Sequence, residues 1–215
     1  MMFDARFFAF ATLSALLVIS PGATMAVVLE EAIESGRKAA LLTVLGVNVA
    51  NSTLALTSAL GMAVIFVRWP WALETVKVGG AIYLTWLGAR GIWRAVGGEV
   101  TASATLGSRL RPGHTPPATP AASIRRGVAT NFLNPSVVVF YMTVPPQFIS
   151  AADPFFTRFL VLAATHVSMS LLWLSVFAVS VGTLSERMVR PGVRRWMAGI
   201  TGAVLIALGL TLVLR

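Results

Sequence analysis

Two helix-breaking motifs interrupt long apolar stretches of this sequence. Pro21 and Gly22 lie in the first stretch, and Asn131, Asn134 and Pro135 lie in the fourth. Because proline removes a backbone donor and clashes with the preceding turn, each break leaves amides and carbonyls that hydrocarbon cannot satisfy. A half-helix that begins at a break points free amides at a carboxylate, and carbonyls and asparagine oxygens accept hydrogen bonds from an ammonium group. The motifs therefore predict a site for a zwitterion. The alternative is two kinks that neighbouring helices pack.

Further polar side chains lie in other apolar stretches. Asn48 and Asn51 are in the second stretch, and Lys77 and Tyr83 are in the third. Because polar groups inside a membrane are costly, each is a candidate substrate-binding residue beside the two breaks. Purely structural roles are the alternative, since the asparagines can bond to another helix and Lys77 can extend to the membrane interface.

Two titratable residues are candidates for carrying a proton within or beside the apolar stretches. His166 lies in the fifth apolar stretch, and Glu30 lies at the cytoplasmic end of the first. Imidazole titrates near neutral pH, and desolvation can bring a carboxyl group into the same range. A packing role for His166 and a solvated helix end for Glu30 are the alternatives. Sodium is the other possible coupling ion, with carbonyls beside Asn134 as ligands.

The sequence carries no residue pattern of an enzyme or a metal site. It has no acid pair, no nucleophile with a base, no phosphate-binding loop and no cysteine. The 17 basic and 8 acidic residues give a net charge of +9, but the basic residues are not clustered with base-stacking aromatics. We therefore expect no catalytic residue, no metal, no cofactor and no nucleic acid partner.

The composition places most of the chain in a lipid bilayer. Of the 215 residues, 56% are hydrophobic and 12% are charged, and the mean hydropathy is +0.80. About 20 apolar helical residues cross a bilayer, and six stretches are long enough: 7–28, 41–67, 72–96, 128–149, 155–182 and 196–214. The predicted fold is all-α, a polytopic membrane protein of six transmembrane helices with broken helices at spans one and four. The alternatives are a five-span topology and a signal peptide in place of the first span.

The basic residues orient these spans. Most of the 17 lysine and arginine residues fall in the first, third and fifth connections between spans. Such an excess marks the cytoplasmic side of a membrane protein. The prediction is a multi-pass protein of the plasma (inner) membrane with periplasmic termini and a cytoplasmic central loop.

A proline-rich segment divides the chain into two halves. Residues 97–124 contain four prolines and show no apolar period, which is typical of a flexible cytoplasmic linker. Residues 1–96 and 125–215 then hold three spans each. Because an odd number of spans inverts the second half relative to the first, the halves are predicted to be two inverted three-helix repeats.

Several motifs of the chain are similar to those of one transporter family. They occur in order and at matching spacing and comprise Ser20-Pro21-Gly22, Gly36-Arg37-Lys38-Ala39-Ala40, residues 77–88, Asn131-Phe132-Leu133-Asn134-Pro135 and Pro146-Gln147-Phe148. The chain thereby resembles the LysE/RhtB family of amino-acid exporters. The resemblance implies an inner-membrane exporter that is driven by an ion gradient and forms a homodimer. Ala23 stands where the family usually has proline and Ser136 where it commonly has lysine, so the resemblance does not identify the substrate.

These observations predict a secondary active exporter of amino acids or related small zwitterionic metabolites, coupled to protons rather than to sodium. The main alternative is a membrane-embedded binding or scaffold protein without transport activity. A channel is not favoured, because Asn48, Asn51 and His166 do not form a continuous polar lining along one helix face.

Overall fold

The computed structural model of the chain describes residues 3–69, 71–97, 119–150, 152–180 and 191–213. Within these ranges every regular element is a helix, which confirms the all-α class. The elements are α1 (Ala5–Ile19), α2 (Ala23–Glu34), α3 (Gly36–Arg68), α4 (Trp71–Gly97), α5 (Pro120–Phe132), α6 (Pro135–Thr143), a 3-10 helix (Pro145–Phe148), α7 (Phe155–Val179) and α8 (Pro191–Val213).

The local chemistry of proline explains where the two broken helices divide. The residue before a proline is disfavoured in the α-region, and Ser20 and Asn134 are both extended, with ψ of 126° and 104°. Helices α1 and α2 consequently meet at 45°, and α5 meets the segment 135–148 at 59°. The chain is therefore redirected at both motifs.

Helix α5 begins earlier than the sequence suggested. The Thr119 side chain accepts a hydrogen bond from the Ala122 amide at 3.3 Å, and Pro120 occupies the first turn. This combination of a threonine cap and a following proline is a strong helix start. Residues 120–124, which we assigned to the linker, are therefore helical, whereas 98–118 lie outside the described residues.

The helices that could cross a membrane number two to four in the described part of the chain. The segment Gly36–Phe66 of α3 and the whole of α7 are each long and apolar enough, and the two bent pairs qualify if each pair is one span. Helices α4 and α8 lie over the third and sixth predicted spans without meeting the same criterion. Helix α8 contains a shorter apolar helical stretch, Arg195–Ala207.

Glycines allow the closest contacts between helices. Helices α4 and α8 make the most extensive contact, and a Cβ on Gly88 would lie 2.5 Å from the carbonyl oxygen of Gly202. Helices α3 and α5 approach just as closely, because a Cβ on Gly127 would collide with the carbonyl of Thr43. Small residues permit such approach in membrane helices, where packing and hydrogen bonds hold helices together.

Exchanging Gly127 for alanine should therefore lower the stability of the protein by about 1–3 kcal/mol, the usual effect of overpacking. The added methyl group has to push α5 away from the backbone of α3. Thermal unfolding in detergent measures the effect. Gly61→Ala is the matched control, since nothing lies within 4 Å of a Cβ at that position of α3. Equal unfolding temperatures for the Gly127→Ala and Gly61→Ala variants would contradict the close contact between α3 and α5.

Candidate substrate-binding site

A cavity of about 210 Å³, here called the central cavity, lies where the two broken helices meet. All eight α-helices of the described chain contribute to its wall. A space of this size holds several water molecules, which suits a small metabolite. The cavity brings together six of the predicted site residues: Gly22, Asn51, Tyr83, Asn131, Asn134 and His166. The two prolines of the breaks adjoin lining residues without lining the cavity themselves.

Three other predicted residues lie away from the cavity lining. Asn48 is buried and donates a hydrogen bond to a carbonyl one turn earlier in α3. Lys77 forms an ion pair with Glu74 at 3.2 Å, one turn earlier in α4. Glu30 forms an ion pair with Arg126 of α5 at 2.8 Å. Each of these side chains thus has a partner that does not involve the central cavity.

A chain of hydrogen bonds crosses one wall of the cavity. The Thr24 hydroxyl donates to Asn131 Oδ1 at 3.3 Å, Asn131 Nδ2 donates to Asn51 Oδ1 at 2.7 Å, and Asn51 Nδ2 donates to Ser170 Oγ at 3.4 Å. Asn131 Nδ2 also reaches the carbonyl of Val47 at 3.3 Å. The chain connects α2, α5, α3 and α7. Because buried polar networks hold their members in fixed orientations, the chain keeps these polar groups in place along the cavity wall.

Sequence reasoning missed two members of this chain, Thr24 and Ser170. Both line the cavity. Ser170 follows His166 by four residues, so the two share one face of α7. Thr24 follows Gly22 by two residues and falls in the first turn of α2. A search for polar residues at helical spacing from the predicted site would have found both.

The two helix starts at the cavity differ in how well their amides are satisfied. Gly22 caps α2 without any side-chain hydrogen bond. At α6, Asn134 Oδ1 accepts from the Ser136 amide at 3.1 Å, and Pro135 has no amide hydrogen to offer. The start of α2 therefore has more free amides for an anionic group.

His166 is held tightly beside the cavity. Its Nδ1 lies 2.7 Å from Ser14 Oγ, and its ring centroid is 4.3 Å from that of Phe140 and 5.8 Å from that of Tyr141. The hydrogen bond sets the orientation of the ring, since the role of each imidazole nitrogen follows from the partner of the other. The imidazole thus reaches the cavity in one orientation.

Formal charge is absent from the described lining of the cavity, where no aspartate, glutamate, lysine or arginine occurs. In low dielectric a charged group is costly unless an opposite charge compensates it. A ligand with no net charge therefore suits this lining. Three or more His, Cys, Asp or Glu side chains that could hold a metal ion do not come together anywhere in the described ranges.

Comparison with known proteins gives a consistent result. The model of the family LysE type translocator matches residues 15–215. The chain is 28% identical to the homoserine/homoserine lactone efflux protein of Salmonella typhimurium over 89% of its length and 84% of the relative's. It is 26% identical to the threonine efflux protein of Escherichia coli K12 over 92% of both chains. It is 24% identical to the uncharacterized membrane protein YrhP of Bacillus subtilis over 94% of its length and 95% of the relative's. No solved structure matches the chain at comparable significance.

Proposed function

Because the chain belongs to the family of LysE type translocators, we propose that it exports small amino acids or related zwitterionic metabolites that carry no net charge. Family membership places the chain among transporters rather than enzymes. The main support for this substrate class is the central cavity. It has a volume of about 210 Å³, and its described lining contains no formally charged side chain. Homoserine, threonine and leucine, which the relatives' names mention, also have uncharged side chains.

The proposed binding mode uses the unequal helix starts. The substrate carboxylate accepts hydrogen bonds from the first amides of α2, beside Gly22 and Thr24. The ammonium group donates to Asn131 Oδ1 and to carbonyls at the breaks. The substrate side chain then lies against the apolar wall that Leu84 and Leu205 contribute. Each end of a zwitterion meets groups of opposite partial charge.

The proposed topology has six spans in two inverted halves, residues 1–96 and 125–215. The start of α7 contacts the start of α1 through the ion pair of Arg158 and Asp4. It contacts the end of α3 through Phe155 and Phe66, whose ring centroids are 4.9 Å apart. These helix ends therefore share one side of the bundle, and the distribution of basic residues supports a periplasmic position for that side.

Reporter fusions test this topology. A fusion after Gly107, in the central linker, should report a cytoplasmic location, and a fusion at Arg215 should report a periplasmic one. An alkaline phosphatase reporter, active only outside the cytoplasm, and a fluorescent protein reporter, active only inside, give complementary readings. A cytoplasmic carboxyl terminus would exclude the six-span arrangement.

The coupling ion is proposed to be the proton, with His166 as its carrier. His166 lines the cavity, and in this proposal its imidazole exchanges a proton with bound substrate or with water there. Glu30, the other candidate, is held by Arg126 away from the cavity. Since two helix breaks also expose carbonyls, sodium coupling is the competing possibility that an experiment has to separate.

Efflux from proteoliposomes tests the function. Vesicles that contain the purified protein and a mixed pool of amino acids should release a subset of neutral amino acids faster than empty vesicles do. Lysine, arginine, aspartate and glutamate should stay behind. Release of no amino acid above the rate of empty vesicles, with or without an imposed gradient, would favour a scaffold role.

A further inference from the structure

A cluster of charged residues joins the end of α2 to the first half of α5, away from the two breaks. Arg126 of α5 binds three carboxylates of α2: Glu30 at 2.8 Å, Glu31 at 2.7 Å and Glu34 at 3.4 Å. The Ser123 hydroxyl also donates to Glu31 at 2.8 Å. We call these five residues the latch. It connects the end of α2 to the first half of α5.

The same two half-helices carry the polar wall of the central cavity. Helix α2 begins at the first break and α5 ends at the second, and there Thr24 and Asn131 bond to each other. The cavity thus lies at one end of the α2–α5 contact and the latch lies at the other. Separating α2 from α5 would open a path between the cavity and the side of the membrane to which the linker belongs.

The two half-helices differ in how firmly they are attached to the rest of the bundle. Helix α5 packs backbone to backbone on α3, and the hydroxyl of Thr43 donates to the Ser123 carbonyl at 3.1 Å. Helix α2 is bounded by the extended break at its start and by Gly36, with φ of +84°, just after its end. Glycine adopts this left-handed conformation without strain. Helix α2 packs Met25, Val28 and Leu29 into a buried cluster with α3 and α7, but its contact with α3 is smaller than that of α5. Helix α2 is therefore the half-helix with the weaker attachment and with a backbone turn at each end.

We propose that the latch closes the cytoplasmic side of the central cavity, and that α2 must leave Arg126 for substrate to reach the site. This inference rests on the proposed exporter function. The side chain of Glu31 is only 1% exposed, so its charge depends on Arg126 and Ser123 for compensation. Without the guanidinium, three carboxylates would face one another and repel. Arg126 is therefore a positioning residue that sets the balance between closed and open states.

Cysteine accessibility tests the latch directly. Because the chain has no cysteine, Ser170→Cys places a single thiol in the lining of the cavity, at a position that is only 4% exposed in the closed structure. A membrane-impermeant thiol reagent is added to inside-out and to right-side-out vesicles. Adding Arg126→Gln should raise labelling from the cytoplasmic side by about tenfold or more, as expected for a two-state equilibrium shifted towards the open form.

Arg125→Gln is the matched control, because Arg125 is the exposed neighbour of Arg126 on the same helix and carries the same charge. It should leave labelling within about twofold of the parent. Equal labelling of the Arg126 variant and the parent would overturn the proposal, as would a rise confined to the periplasmic side. If the parent exports no amino acid, the proposed function fails, but the change in labelling still decides whether the latch exists.

A reversible cross-link provides a second test that does not depend on the folding of an Arg126 variant. Glu31→Cys and Ser123→Cys are combined, and the two thiols are joined by a short bis-thiosulfonate linker that a reductant removes. Linking should lower export by about tenfold or more, and reduction should restore it, since α2 cannot leave α5 while the link is present. Equal export before and after reduction would overturn the proposal.

Discussion

Exchanging Asn131 for alanine should lower the kcat/KM of export by roughly 100-fold, the effect expected when a central hydrogen-bonding group leaves a buried network. The side chain is 1% exposed and bonds to Asn51, Thr24 and the carbonyl of Val47. Each buried partner left unsatisfied costs about 1–3 kcal/mol. Initial rates of efflux from proteoliposomes, over a range of internal substrate concentrations, give the ratio.

Asn48→Ala is the matched control for this change. Asn48 is likewise buried, at 7% exposure, but its hydrogen bond stays within α3 and it does not line the cavity. The kcat/KM of the Asn48→Ala variant should stay within about threefold of the parent value, because one intrahelical hydrogen bond contributes only about 1 kcal/mol to stability. Thermal unfolding of both variants separates damage to the fold from damage to the site. Equal losses of activity in the two variants would argue against a special role for Asn131.

Exchanging His166 for glutamine should abolish the accumulation of substrate that a pH gradient drives, while downhill exchange continues. One pH unit is worth about 1.4 kcal/mol, or about a tenfold concentration ratio for each proton transported. In a gradient of one pH unit, the steady-state ratio of substrate concentrations across the membrane should therefore be about 10 in the parent and about 1 in the variant. Glutamine can still bond to Ser14, but it cannot carry a proton near neutral pH. The measurement is the internal and external substrate concentration at steady state.

Glu30→Gln is the companion variant, because Glu30 is titratable but lies outside the cavity lining. It should reach the same steady-state ratio as the parent, even if a weaker latch alters the rate. A ratio that stays near ten in His166→Gln and in the double variant would exclude both residues as obligatory proton carriers. If the parent protein accumulates substrate under a sodium gradient at equal pH and not under a pH gradient, sodium is the coupling ion instead.

Local chemistry made several features readable from the sequence. The two breaks could be located because proline and the residue before it restrict the backbone wherever they occur. The helical class follows from apolar stretches long enough to satisfy their own backbone hydrogen bonds in lipid. The ordered motifs between residues 20 and 150 led to the translocator family that the family match then confirmed. None of these inferences needs knowledge of which helices are neighbours.

Which residues line the central cavity could be known only from the tertiary structure. Asn51 and Asn131 are 80 residues apart and Glu31 and Arg126 are 95 apart, yet each pair is in contact. Which partners meet depends on the rotation of each helix about its axis and on the glycine contacts that set its distance from its neighbours. For that reason Asn48 and Asn51 looked equivalent in the sequence, although only Asn51 lines the cavity. The sequence by itself determined where the helices break and that their composition is apolar enough for a lipid bilayer. Packing between distant segments decided which polar groups face the cavity and which hold the helices together.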